Sequence, residues 1–285
     1  MVTPLAALPA LRRAVERMIA EDDEVVVVFS GLWSFGHRLG VSPTEVPAAV
    51  LDALLEAVGH RTLVLPAYTN AFPRTKVFDL RRSQPETGVL ARCALTGGRF
   101  HRTANPMDSY LTFGLKSNEI LHRKETTLWG DDSVMAWFGQ VNARILILGE
   151  PWHRACAFYH RAEELLQVPY RYYKRFGGSF VDTDDSRRPC SASMYVRPLQ
   201  QPIVWDHTKI EQILMHKKAI AVSGDPDIPA QSARAGDVLD ACLELLTEDP
   251  YAYVVNSDEI KNWIINGGMW REIDDLPPEQ RVQND

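Results

Sequence analysis

The chain has 285 residues, of which 45% are hydrophobic and 24% charged, and its formal net charge is -6. This composition is typical of a globular protein that buries a sizeable core. The acidic balance argues against a nucleic-acid-binding protein, because contacts to phosphates need a concentrated basic surface. We therefore expect no nucleic-acid partner.

The N-terminal segment 1–24 reads as an amphipathic helix with charges throughout, without the basic start and long apolar run of a signal peptide. No stretch approaches the roughly 18 consecutive apolar residues that a membrane span needs. The cysteines contain no Cys-x-x-Cys pair of the kind found in zinc and redox sites. We expect a cytoplasmic protein with reduced thiols and no membrane partner.

A strand, a helix and a second strand follow the first helix. Residues 24–32, EVVVVFSGL, form a short β-branched run that is typical of a strand buried on both faces. Residues 42–59 have the apolar spacing of a helix and end at Gly59, and residues 61–68, RTLVLPAY, predict the next strand. This order indicates a parallel strand pair with a right-handed crossover.

The remaining segments extend this α/β pattern. Residues 69–114 are dense in Pro, Gly, Arg and Thr and are predicted to be mostly irregular, whereas residues 143–150, ARILILGE, predict a third buried strand. Alternation over residues 191–199 predicts an antiparallel strand. We expect one α/β domain over residues 1–285, with three layers, a central mixed and largely parallel sheet, an additional antiparallel portion, and a poorly ordered tail after about residue 270.

The segment 155–166, ACAFYHRAEELL, places His160 and Glu163 three residues apart in an amphipathic helix. Residues at this spacing are neighbours on one helix face, so the imidazole and the carboxylate can touch, as in an oriented general base. Ser30, Tyr68 and His160 each follow a predicted strand, at the sheet edge where ligands bind in open α/β sheets. The alternative is a chance pair on a solvated helix face.

Several familiar motifs are missing from the sequence. The loop after the first strand is not Gly-x-Gly-x-x-Gly and contains Trp33, which argues against a dinucleotide cofactor, although its backbone N–H groups could still face phosphates or a carbonyl oxygen. No Gly-x-Ser-x-Gly elbow occurs. The eight histidines have no metal-ligand spacing, so we expect no metal.

Four sequence blocks in order carry a resemblance to a known family. They are FSGLWSFG (29–36), LVLPAYT (63–69), RTANPMDSYLTFG (102–114) and YHRAE (159–163). Together they resemble the aminoglycoside N3-acetyltransferase family, whose fold differs from that of the Gcn5-like acetyltransferases. Phe29, Gly31 and Asn105 depart from the family's pattern, whereas the histidine and glutamate of the last block are kept.

The resemblance implies an acyl-coenzyme A dependent N-acyltransferase, with acetyl or another short acyl group and no metal. His160 would take the proton of the substrate ammonium, Glu163 would orient the ring, and the amine would attack the thioester directly, without a covalent enzyme intermediate. Backbone donors and the Thr69 hydroxyl would stabilise the developing oxyanion. The acyl-coenzyme A contacts that the resemblance implies are Ser30, Gly31, Leu32, Gly36, Thr69, Arg102, Thr103 and Ser109. The resemblance leaves a homodimer open.

The acceptor amine is predicted from the basic and aromatic segment 168–178, VPYRYYKRFGG. Arginine side chains match phosphates and aromatic rings stack on flat groups, so this segment suits an anionic ligand with a flat ring. In this respect the chain resembles the branch of the family that acylates nucleotide-linked amino sugars. The predicted acceptor-binding residues are Tyr68, Asn105, Asp108, Arg171, Tyr172 and Lys174.

Three alternatives remain open at this point. The acceptor could be an aminoglycoside or another antibiotic amine. The basic segment could contact the phosphates of coenzyme A or form a solvated face. The chain could also be a coenzyme A or nucleotide binding protein without catalytic activity.

Overall fold

The computed structural model describes residues 4–33, 35, 40 and 42–268. Two predictions, the cofactor contact of Gly36 and the poorly ordered tail, lie outside the described residues. The strands are β1 (Val25–Ser30), β2 (Thr62–Pro66), β3 (Val77–Asp79), β4 (His101–Arg102), β5 (Tyr110–Phe113), β6 (Arg144–Leu148), β7 (Tyr172–Val181), β8 (Arg187–Val196), β9 (Ala221–Val222) and β10 (Ala230–Arg234).

The helices separate these strands along the chain. They are α1 (Pro4–Met18), α2 (Val46–Val58), α3 (Phe72–Thr75), α4 (Val89–Thr96), α5 (Ser117–Leu121), α6 (Val134–Gln140), α7 (Trp152–Ala155), α8 (Tyr159–Leu165), α9 (Thr208–His216), α10 (Ala235–Glu248) and α11 (Ser257–Ile265). Helix α2 ends at Gly59, which has a φ of 62°. A glycine adopts this left-handed conformation without strain, which explains the predicted helix stop.

The larger sheet has seven strands within the described residues, in the order β4-β5-β2-β1-β6-β10-β9. Strand β1 pairs in parallel with β2 and β6, so the predicted crossover unit is confirmed. The four outer pairings are antiparallel. The mixed α/β class is therefore confirmed, but the parallel part is limited to the three central strands, because β4–β5 and β9–β10 extend the edges by short antiparallel returns.

Both faces of this sheet are buried, which gives the predicted three layers. Val25, Val27 and Phe29 face the core that contains helices α6, α8 and α10, whereas Val26 and Val28 face the core that contains α1, α2 and α4. Alternate residues of a strand point to opposite faces. A continuous apolar strand is therefore expected wherever helices cover both faces, as they do here.

The segment 69–114 differs from its prediction. It was expected to be mostly irregular, but it contains α3, β3, α4, β4 and β5. These elements span at most eight residues each, which is too short for a clear periodic pattern in the sequence. The predicted antiparallel strand at 191–199 is confirmed as part of β8, which pairs with β7 in a second, three-stranded sheet that also contains β3.

Other features of the described residues can be stated briefly. No helix in this part of the chain is long and apolar enough to cross a membrane. Nor do its His, Cys, Asp and Glu side chains form any group of three that could hold a metal ion. The four cysteines are free, and Cys156 and Cys242 are buried.

Candidate active site

His160 and Glu163 form the predicted contact on helix α8. His160 Nδ1 lies 2.7 Å from Glu163 Oε2, and the Glu163 side chain is completely buried whereas that of His160 is 30% exposed. The hydroxyl of Tyr170 donates to the other carboxylate oxygen of Glu163 at 3.1 Å. One edge of the imidazole is thus fixed by the protein core, and the ring itself remains accessible.

Arg171 completes this cluster from the loop before β7. Its Nη2 lies 2.9 Å from Glu163 Oε2 and 3.2 Å from His160 Nδ1, and its Nη1 donates to the Tyr195 carbonyl at 3.1 Å. An unprotonated Nδ1 facing the carboxylate at 2.7 Å would bring two acceptors together, so we infer that Nδ1 carries the proton. In the neutral ring Nε2 then holds the lone pair, as a general base requires.

The charges in this cluster follow from burial and from Arg171. Burial alone would raise the pKa of Glu163, but Arg171 and His160 outweigh it and lower that pKa to about 2. Burial and then Arg171 lower the pKa of His160, against the opposite effect of Glu163. Near neutral pH the pair is therefore an ionised carboxylate and a neutral imidazole.

Trp129 covers one face of the His160 ring. The two rings stack with centroids 4.5 Å apart and an angle of 29° between their planes. The Trp129 indole N–H donates to Asp108 Oδ2 at 3.1 Å, and Arg161 Nη1 donates to the Trp129 carbonyl at 2.7 Å. Burial raises the pKa of Asp108 to about 7. Asp108, predicted to bind the acceptor, is thus a buried group that holds Trp129.

A cavity of about 710 Å³ opens beside His160. The predicted acceptor residues Arg171, Tyr172 and Lys174 lie in its wall. Its other lining residues are mostly aromatic, apolar or basic, and they include Phe176, Trp205, His207 and Arg197. Among the residues that the structure describes, no Asp or Glu lines it.

A second cavity, of about 360 Å³, lies at the carboxyl ends of β1 and β2. It is lined by Ser30 and Gly31, both predicted to contact acyl-coenzyme A, and by Tyr68, which was predicted to bind the acceptor. The segment 153–160 runs between the two cavities, since Arg154 and Ala157 line this one whereas His153 and His160 line the other. The arrangement offers separate spaces for two reactants on either side of one segment.

The sequence model of the aminoglycoside 3-N-acetyltransferase family matches residues 28–224. The chain belongs to the aminoglycoside 3-N-acetyltransferase family. The predicted family is confirmed, and with it the N-acetyltransferase class. No curated protein sequence matches the chain.

Solved structures of the aminoglycoside 3-N-acetyltransferase family share the fold. The apoenzyme of aminoglycoside acetyltransferase AAC(3)-IVa is 19% identical, with a TM-score of 0.69 over 90% of this chain and 96% of that one. AAC-VIa bound to sisomicin is 18% identical, with a TM-score of 0.70 over 85% and 97%. AAC-IIIb in a binary complex with CoASH is 19% identical, with a TM-score of 0.68 over 85% and 96%.

In this member of the aminoglycoside 3-N-acetyltransferase family, several predicted cofactor residues have internal partners. Arg102 donates to Ser109 Oγ at 3.0 Å, to the Ala67 carbonyl at 2.9 Å and to Thr69 Oγ1 at 3.1 Å. The Thr103 hydroxyl accepts the backbone N–H of Tyr110 at 2.9 Å. These side chains, like that of Leu32, are buried, and those of Arg102 and Ser109 brace the loop after β2. The contact of all these residues with acyl-coenzyme A stays a prediction.

The side chain of Asn105 also forms hydrogen bonds with the backbone of this acetyltransferase. Its Oδ1 accepts the N–H groups of Met107 and Asp108 at 2.9 and 3.1 Å, and its amide donates to Glu125. It does not line the cavity beside His160. Asn105 therefore shapes the turn that leads into Asp108, and its contact with an acceptor stays a prediction.

Sequence reasoning missed further residues of the candidate site, although Tyr170, which meets Glu163, lies in the aromatic and basic segment 168–178. Trp129 and Arg197 reach the site through tertiary contacts and carry no local signal. Thr87 and Gly88, which line the second cavity just before helix α4, do carry one, because a glycine before a helical pattern marks a loop that a ligand can approach closely.

Proposed function

We propose that the protein transfers an acetyl group from acetyl-coenzyme A directly to the amine of a small molecule, with His160 as general base. The observation that carries this proposal is the His160–Glu163 contact of 2.7 Å beside a cavity large enough for an acceptor. Membership of the family supports the reaction class. General base catalysis by an oriented histidine typically contributes about 100-fold or more.

The reaction balances with one net proton released. The acceptor arrives as an ammonium ion, and His160 Nε2 takes one of its protons. The freed amine attacks the thioester carbonyl, and a carbon–nitrogen bond forms as the carbon–sulfur bond breaks. The amine's second proton goes to the departing coenzyme A thiolate, directly or through His160. Glu163 offsets the positive charge that His160 carries between these steps, which is why its low pKa matters.

The second cavity is the space that we assign to acetyl-coenzyme A. Ser30 and Gly31 line it beside Arg154, an exposed cation suited to a phosphate group. The Thr69 hydroxyl accepts from Arg102, but Thr69 is buried and is not among the residues that line either cavity, so its contact with an oxyanion stays a prediction. AAC-IIIb, which shares this fold, was solved with CoASH. We expect acetyl-coenzyme A or another short acyl-coenzyme A as the donor.

For the acceptor we propose a nucleotide-linked amino sugar. The cavity wall is aromatic and basic, and within the described part of the chain it holds no Asp or Glu. A polycationic aminoglycoside needs carboxylates to replace its hydration, and unpaired like charges are costly in a partly enclosed cavity. The aminoglycoside remains the second candidate, because the family carries its name and AAC-VIa was solved with sisomicin.

The proposal is tested by thiol release from acetyl-coenzyme A with a panel of nucleotide-linked amino sugars, aminoglycosides and simple amines. We expect turnover with a nucleotide-linked amino sugar and its loss in His160→Ala. Turnover with aminoglycosides alone would make the second candidate correct. Binding of CoASH without turnover of any amine would instead indicate a binding protein without catalytic activity.

A further inference from the structure

The β7–β8 hairpin builds one wall of the cavity beside His160. Its antiparallel register pairs Tyr172 with Val196 and Lys174 with Met194, and all four residues line the cavity. This agrees with strand geometry, in which alternate residues share one face. Arg197, the residue after β8, lines the same cavity. The register therefore brings the cations of Lys174 and Arg197 to one wall although they lie far apart in the sequence.

Lys174 and Arg197 differ from Arg171 in whether a carboxylate offsets their positive charge. Arg171 is buried against the Glu163 carboxylate at 2.9 Å, so the two charges offset each other. In the part of the chain that the structure describes, no carboxylate lies within ion-pair distance of Lys174 or Arg197, and the cavity lining contains none. The contact of Lys174 is with the Phe176 ring, 5.6 Å from its centroid. The wall consequently carries two uncompensated positive charges.

Aromatic side chains border the same space. Phe176, Trp129 and Trp205 line the cavity, and the Arg171 guanidinium lies 5.2 Å from the centroid of the Trp205 ring. Flat or apolar groups bind well against such rings. The cavity thus offers a base for the amine, a basic wall, and aromatic surface for the body of the ligand.

Resting on the proposed acyl transfer, we propose that Lys174 and Arg197 form an anion site that binds a phosphate-type group of the acceptor while its amine faces His160. The acceptor is then an amine that also carries an oxyanion. Two sources fit this chemistry, an amine that is itself phosphorylated and an amino sugar linked to a nucleoside diphosphate. An acceptor with only cationic groups does not fit it, because it would face like charges on this wall.

The first test compares acceptors that differ only in the anion. Kinetics are measured for a free amino sugar, its phosphate ester and its nucleotide-linked form, with Lys174→Gln/Arg197→Gln and with Arg175→Gln as control. Arg175 lies on the neighbouring position of β7 and donates to Ser191 on the exposed face of the hairpin. We expect the double variant to raise KM for the anionic acceptors by about 10-fold or more, and the control to change nothing. An unchanged KM overturns the proposal.

The second test does not depend on turnover. Binding of UDP is measured by quenching of tryptophan fluorescence on protein saturated with CoASH, in wild type and in the double variant. Binding that adds to CoASH and is lost in the double variant supports the anion site even if no amine is acetylated, a result that would count against the proposed function alone. Competition between UDP and CoASH would show that the two cations serve the phosphates of the cofactor, and it would overturn the proposal.

The two tests also separate the two sources of the anion. If the phosphate ester is acetylated as efficiently as the nucleotide-linked sugar, the site recognises the oxyanion by itself. If only the nucleotide-linked form is efficient, the base contributes through the aromatic surface. Preference for a free polyamine over both anionic acceptors would contradict the anion site.

Discussion

Arg171 holds the Glu163 carboxylate at 2.9 Å in a place where that carboxylate has no exposure to solvent. A buried carboxylate is costly without a partner, and removal of one member of a buried pair leaves an uncompensated charge. Because Arg171 also lies 3.2 Å from His160 Nδ1, one guanidinium acts to lower the pKa of both side chains. Arg171, which is predicted to bind the acceptor, therefore also contacts the proposed base.

Replacement of Arg171 should move the acid side of the pH–rate profile. In the wild type, kcat/KM should fall as His160 becomes protonated, at a pH below the usual 6.5 because burial and Arg171 lower the pKa of His160. Arg171→Met removes the second cause, so the pKa of His160 rises. As the pH is lowered, kcat/KM should then begin to fall at a higher pH than in the wild type. Arg171→Lys, which keeps the charge, should shift the profile less. An unshifted profile in Arg171→Met would contradict this role.

The same buried pair should make folding sensitive to acid. The pKa of Glu163 is lowered to about 2 from an ordinary 4.5, so its stabilising contribution is full above pH 4.5 and is lost as the pH falls toward 2. Arg171→Met removes a main cause of the lowered pKa and should weaken this dependence. Urea unfolding of both proteins at pH 5 and pH 3 measures this dependence, and the comparison between them cancels groups such as Asp108, whose raised pKa has the opposite effect on stability. An equal loss of stability in wild type and Arg171→Met would argue against an ionised Glu163 held by Arg171.

His160→Ala should reduce kcat by about 100-fold or more, because it removes the proposed base. The measurement is thiol release from acetyl-coenzyme A with the best acceptor of the panel. Binding of CoASH should be unchanged, since the second cavity does not include His160. Retention of activity within a few-fold would rule out His160 as the base. His153→Ala is a matched control, because His153 lines the same cavity and contacts Glu211 instead of Glu163.

Asp108 should affect catalysis only through Trp129. Asp108→Asn keeps an acceptor for the indole N–H, so we expect kcat within a few-fold of wild type. Asp108→Leu leaves the buried indole N–H unpaired, at a cost of about 1–3 kcal/mol, and should lower both stability and kcat. Thermal unfolding and steady-state kinetics distinguish the two. A loss of acceptor binding in Asp108→Asn at full stability would instead support the direct acceptor contact that the sequence predicts.

Gly149→Ala should disrupt the loops at the ends of β1 and β6. Gly149 has a φ of 80°, and a Cβ there would lie 2.2 Å from the Gly31 carbonyl oxygen. A backbone atom cannot move aside as a flexible side chain can, so we expect a fall in stability and a higher KM for acetyl-coenzyme A, since Gly31 lines the second cavity. Gly139→Ala is the control, because nothing lies within 4 Å of a Cβ at that position. If Gly149→Ala and Gly139→Ala have the same stability and the same KM for acetyl-coenzyme A, the close approach of Gly149 to the Gly31 carbonyl does not constrain these loops.

The amino-acid sequence by itself determined the elements with a strong local pattern. The apolar runs of β1, β2 and β6 and the helical spacing of α2 are long enough to define their type, and a βαβ order permits essentially one handedness. The three-residue spacing of His160 and Glu163 likewise places them side by side on one face once α8 is helical, and the structure shows their contact. The four motif blocks were sufficient to identify the family.

Only the tertiary structure decided which polar residues have buried internal partners and which line a cavity. Arg102, Asn105 and Asp108 look like ligand contacts in the sequence, but folding supplies each with buried partners. Conversely, Trp129 and Arg197 carry no local signal and reach the cavity through long-range packing and strand register. The physical reason is that a local pattern fixes backbone periodicity, whereas the partner of a polar side chain is fixed by which distant segments pack against it.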